Sequence, residues 1–227
     1  MAKNIGIIKF TGKLGGLSGR DTPFGIVIQT PGGFKSERVK NDPIYDLTRK
    51  RNSEFGHCAT LASLFHRNLL FYLKLLPDSY PYNHIQQWMV AVKECDPSPK
   101  GEKTVGKGLL TDAGAALFRK FSFNRKRRFG FADFPQHRVD LENGIVHLAP
   151  IDTSRMTFLT GAKAIGWQLI LMRVDFGKAE CVVNCSDTVV VEKGVVASPF
   201  LEAGVPDGDG VLVGVLFMGF RGGSGVW

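Results

Sequence analysis

The stretch Gly101-Glu102-Lys103-Thr104-Val105-Gly106-Lys107 has the glycine and lysine spacing of a phosphate-cradling loop. Such a loop works because successive backbone N–H groups face the phosphates, the lysine reaches their oxygens, and a following Ser or Thr holds magnesium. Here the next residue is Gly108, and Asp96-Pro97-Ser98-Pro99 stands where a strand should lead in. Both departures remove the setting the motif needs, so the segment is expected to be a basic, flexible connector. Cys181 and Cys185 would point two thiols to one face of an extended strand, where His137 and His147 are conceivable co-ligands. A zinc site needs a second ligand pair at defined spacing, and nothing in the sequence supplies one. His57, Cys58 and His66 lie in a run rich in Leu and Phe, where packing accounts for them; a cysteine–histidine nucleophile needs spatial adjacency. Ser18, Ser186 and Ser224 lack the strand–elbow–helix setting of a hydrolase serine. Asp207 and Asp209 flank a glycine in a turn-like context. No catalytic, cofactor-binding or metal-binding residue is expected, no small-molecule substrate is identified, and the chain is read as non-enzymatic.

A second constellation is basic and aromatic. Arg127-Arg128-Phe129-Gly130-Phe131-Ala132-Asp133-Phe134 partly matches a strand pattern whose aromatics stack on RNA bases. Arg128 stands where that pattern has Gly, Ala132 where it has a larger aliphatic, and prolines occupy the place of its partner strand. The whole fold is therefore disfavoured, but the local chemistry remains. Arg119, Lys120, Arg125, Lys126, Arg127 and Arg128 alternate with Phe118, Phe121, Phe123, Phe129 and Phe131. Those six cations suit phosphates, and Phe129 and Phe131 suit unpaired bases.

The elements that must position these groups fall into three stretches. Residues 1–40 read as a β arm: β-prone Ile5–Phe10 and Phe24–Gln29 enclose Gly12, Gly15, Gly16 and Gly19, too many glycines for a helix, and Pro31-Gly32-Gly33 closes the arm. Residues 41–121 read as helical. Asn41 or Asp42 caps, Pro43 fits the first position, and Leu47, Phe55, Ala59, Ala62, Leu69, Leu70 and Leu73 recur at helical period. Gly56 weakens this helix and Pro77 ends it; further helices are expected over Tyr82–Lys93 and, capped by Thr111-Asp112, over Ala113–Phe121. Residues 122–227 read as antiparallel β, with strands at Arg138–Leu148, Trp167–Val174, Glu180–Asn184, Thr188–Glu192 and Gly210–Phe220. The expected class is α+β: a β arm, a small helical region and a β-sandwich or barrel-like domain.

Charge is unevenly distributed over the 227 residues. Residues 1–128 hold 22 Lys and Arg against 10 Asp and Glu, a balance of +12, whereas residues 129–227 hold 7 against 11, a balance of −4. A basic half joined to an acidic half points to a polyanion partner or to pairing between copies. The amino terminus has no secretory pattern, and no run of the length a membrane span needs occurs: the apolar run Leu69–Leu76 is broken by Lys74 and closed by Pro77. The four cysteines lack the density of a disulfide framework, so reduced, buried thiols in the cytoplasm are expected.

Residues 5–25, 32–56 and 82–109 resemble a Bacteroidota protein family of unknown function. Its marks here are the glycine-rich basic start, Asn41-Asp42-Pro43, Thr48-Arg49, Glu54-Phe55-Gly56 and a β-rich second half. The resemblance supplies no activity and no site residues. The expected function is structural or assembly, through the β arm and sheet edges, with copies of itself or another protein as partner. The alternative is a nucleic-acid-binding module, DNA- or ribosome-associated, using residues 118–131.

Overall fold

In the amino-terminal segment the glycines make the strands turn. Gly15, at φ 57°, and Gly16 link β2 (Gly12–Leu14) to β3 (Leu17–Thr22), and Pro23-Phe24 links β3 to β4 (Gly25–Gln29). The glycine-rich stretch is thus itself a hairpin rather than a spacer between strands. The computed structural model describes residues 2–3, 10–30, 36–76, 78–124, 138–156, 158 and 160–222. The expected strand over 5–9 and the Pro31-Gly32-Gly33 turn lie outside them. With β1 (Ala2–Lys3) the arm is an antiparallel sheet in the order β1-β4-β3-β2. The chain divides into two compact units, residues 1–49 and 50–227.

The first unit continues into α1 (Ser36–Asn41) and the opening turn of α2 (Asp46–Asn68). As the sequence predicts, Asp42 caps here: its side chain accepts from the Ile44 N–H at 3.1 Å ahead of a 3-10 turn, Pro43–Tyr45. Arg49 donates to the carbonyls of Val39 and Asp42 at 2.9 and 3.0 Å, tying α1 to α2.

In the second unit α2 runs through Gly56 without a break, and the helix is interrupted at Leu69 before α3 (Leu70–Lys74). Then follow α4 (Pro81–Glu94), α5 (Val105–Leu109) and α6 (Asp112–Arg119). Thr104 and Thr111 cap the last two, each accepting from an N–H three residues on. The expected flexible connector over 101–107 is corrected: it is half helix. The strands are β5 (Arg138–Asp140), β6 (Ile145–His147), β7 (Ile151–Asp152), β8 (Ala162–Asp175), β9 (Glu180–Cys185), β10 (Val189–Glu192), β11 (Val196–Ala197), β12 (Phe200–Glu202) and β13 (Val211–Gly222). All strand pairs among the described residues are antiparallel. Arg138–Leu148, expected as one strand, is a hairpin, because Asp140 accepts from Asn143 and Gly144 takes φ 70°.

The long strand β8 is the axis of this unit. β10 and β9 pair in succession along one of its sides, and β13 pairs along the other. Ile170, Met172 and Val174 of β8 pack with Leu61, Phe65, Ile85, Met89 and Val92 of the helices. Ile165, Trp167, Leu169 and Leu171 point the other way, into a second core with Val146, Ile151 and Leu201 of the small strands. Helices therefore cover one face of the sheet and small antiparallel sheets the other. A strand buried on both faces loses hydrophobic alternation, which is why residues 165–174 read as nearly continuous apolar sequence. The α+β class is what the structure has.

Candidate assembly surface

The phosphate-loop spacing is answered by the protein's own carboxylates. Glu54 Oε1 accepts from the Gly101 and Lys103 N–H groups at 2.6 and 2.8 Å, and Asp96 accepts from those of Ser98 and Thr104, both at 2.8 Å. Backbone donors of this stretch that would greet an anion already hold one. Lys93 closes the cluster at 3.2 Å from Glu54 and 2.8 Å from Glu94. Burial raises the Glu54 carboxyl, but bonds from the Lys103 N–H, the Lys93 ammonium and the Gly101 N–H outweigh it and hold the group below its ordinary range. Asp96 is likewise held low, its burial outweighed by bonds from Thr104 and Ser98. The sequence reading passed over Glu54, Lys93 and Asp96; the one local signal was Asp96-Pro97-Ser98, an Asx-turn composition.

The other chemical candidates do not converge. The four cysteines are free, but only Cys58 is buried, Cys95 and Cys181 are half-buried and Cys185 is exposed, which corrects the expectation of four buried thiols. Cys181 and Cys185 share β9, with Cys181 packed toward the helices and Cys185 3.6 Å from the Tyr72 hydroxyl. His137 lies outside the described residues, and His147 is exposed on β6. Among the described residues no group of three metal-ligating side chains assembles. His66 meets the Tyr82 ring edge-on, and His84 pairs with Asp78 at 2.6 Å, a contact the sequence did not signal. Ser186 is spent on backbone bonds with Leu169 and Asp187.

Of the basic-aromatic stretch, Arg119 and Lys120 are exposed at the end of α6. Phe121 stacks on Trp88 with centroids 4.1 Å apart, and Phe118 and Phe123 crowd the same indole. Those three rings are core neighbours, not bases' partners. Arg125, Lys126, Arg127, Arg128, Phe129 and Phe131 lie outside the described residues.

Among the described residues, what stays unpaired is backbone. β13 is twelve residues long and pairs with β8 alone among the described strands, so no described strand takes the main-chain donors and acceptors of its other edge. From Val211 to Phe220 it carries no charge and no proline, the usual guards of an edge. The edges of the arm differ, since β1 and β2 have only two and three residues and carry Lys3 and Lys13. The arm's open feature is a face. Pairing sets Leu14 opposite Leu17, Gly19 opposite Ile28 and Asp21 opposite Ile26, so Leu14, Leu17, Asp21, Ile26 and Ile28 line one side, where Phe10 lies over Gly19. Lys13, Ser18, Arg20, Val27 and Gln29 line the other. Leu14 remains 60% exposed, so the apolar side is not a finished core. Compared with family models, with curated proteins and with solved structures, the chain shows no match.

Proposed function

We propose that this protein is a non-enzymatic assembly component that joins other chains through the outer edge of β13 and the apolar face of its β arm. The observation that carries the reading is the twelve-residue edge with ten successive uncharged residues, Val211–Phe220. Long flat apolar edges are rare in chains that work alone, because they template pairing with any available strand. An edge used for β-addition keeps that character, drawing affinity from main-chain bonds and selectivity from alternating side chains. The arm adds a second, weaker surface, since a thin sheet that leaves Leu14 and Leu17 exposed gains by covering them. Four free thiols support a reducing, cytoplasmic setting.

Light scattering on size-fractionated protein tests the reading. The wild type should elute as an assembly. Val211→Lys, at an exposed position of β13 outside both cores, should weaken it while far-UV circular dichroism stays unchanged. A wild type that is a single chain and retains no partner, or an assembly indifferent to the lysine, refutes it.

A further inference from the structure

The short helix α3 is apolar on both of its sides and covered on one. Of residues 69–76, seven of eight are apolar or aromatic, with Lys74 the exception. Leu69 and Leu73 are buried in the helical core, and Tyr72 and Leu76 pack beside them. Helical spacing puts Leu70, Phe71 and Leu75 on the opposite side, where they stay 36, 60 and 40% exposed. A helix apolar all round is ordinarily enclosed, so a bare side of this kind marks a contact surface. We infer that this side of α3 seats the protein on an anionic lipid surface, with Leu70, Phe71 and Leu75 entering the headgroup boundary and Arg67 and Lys74 meeting the headgroup charges.

Charge names the occupant. Arg67, in the last turn of α2, and Lys74, at the end of α3, bracket the three side chains along the helix, and both are exposed. No Asp or Glu occurs between Glu54 and Asp78, and the Asp78 carboxylate is held by His84 at 2.6 Å. The exposed Asp187 follows Cys185 in the chain, and Cys185 is the thiol that the inward-facing Tyr72 reaches. The outer side therefore combines cations with large apolar groups and has no carboxylate from its own segment. An acidic headgroup layer supplies the missing counter-charge, and the stems of Arg and Lys lie along apolar neighbours while their heads reach the phosphates. Phe71 projects from this side as a ridge, which a bilayer boundary fits by yielding around it. No described helix is long and apolar enough to cross a membrane, so the contact is with one surface. A short apolar element aided by basic residues gives weak, reversible binding of this kind.

Vesicle co-sedimentation of the full-length protein tests this, comparing phosphatidylcholine alone with phosphatidylcholine carrying about one third phosphatidylserine. The wild type should bind the anionic vesicles and leave the neutral ones. Phe71→Ala should weaken binding about tenfold. Arg67→Gln with Lys74→Gln should weaken it roughly thirtyfold, and all these positions are exposed enough that far-UV circular dichroism should not change. Phe71→Trp reads insertion directly: its added emission should shift to the blue on anionic vesicles. A wild type that ignores anionic vesicles at low salt overturns the inference. So does binding indifferent to both sets of substitutions, which would place the contact on another basic surface, or a Phe71→Trp emission that does not move. If Phe71→Ala instead separates copies of the chain in the absence of lipid, the occupant is a second copy and the lipid assignment falls.

Discussion

Glu54 is buried, and its carboxylate accepts from Gly101, Lys103 and Lys93. Substituting glutamine keeps the Oε1 acceptor for the two N–H groups but leaves the Lys93 ammonium with Glu94 as its remaining counter-charge. Glu54→Gln should therefore cost about 1 to 2 kcal/mol, read as a shift in urea midpoint. The pH dependence follows the same groups. Glu54 and Asp96 have folded-state affinities for protons below the unfolded ones, so their contribution is present above the ordinary carboxylate range and fades as pH falls through the folded values. Lys93 is opposite in sign: burial lowers it, but Glu94 and Glu54 outweigh that and raise it. Its contribution is present at neutral pH and fades only above the ordinary lysine range. Acid titration monitored by exchange of the Gly101, Lys103 and Thr104 amides should therefore release the 96–104 loop first. Cysteine labelling is a separate check. Burial pushes the Cys58 and Cys181 thiols up to about 11, so iodoacetamide at neutral pH should spare both and modify exposed Cys185.

At the scale of elements, close backbone approach holds the small helices in place. A Cβ at Gly108 in α5 would overlap the Val92 carbonyl of α4, and one at Gly114 in α6 would overlap the Gly108 carbonyl. Both glycines serve contact rather than turning, since neither has a positive φ. Gly108→Ala should destabilise the second unit by about 2 kcal/mol through overpacking, measured by thermal unfolding, despite the better helix propensity of alanine. Gly56 makes the contrast, for nothing lies within 4 Å of a Cβ there. Gly56→Ala should stabilise α2 by several tenths of a kcal/mol in the same measurement.

For the molecule as a whole, both hydrophobic cores lie within residues 50–227. Deleting residues 1–35 should leave the main calorimetric transition where it is. If the arm's apolar face takes part in assembly, the same deletion should lower the associated fraction in light scattering. A deletion that shifts the transition by many degrees would show that the arm belongs to the folding unit.

Local chemistry determined much of this protein from sequence alone. Asp42-Pro43, Thr111-Asp112 and the apolar period of 47–73 place helices, because caps and amphipathic spacing act within a few residues of each other. The antiparallel strands after residue 138 were legible for the same reason, through turn residues between β-prone runs. What the tertiary structure decided lies at long range. Glu54 and Asp96 fill the donors of a loop that resembled a phosphate cradle, and one of these contacts spans 49 residues. Phe118, Phe121 and Phe123 alternate with cations in sequence, yet Trp88 of another helix makes them core. That β13 pairs with β8 alone among the described strands has the same origin: pairing partners are chosen by the whole sheet, and a strand's own residues say only that it will pair.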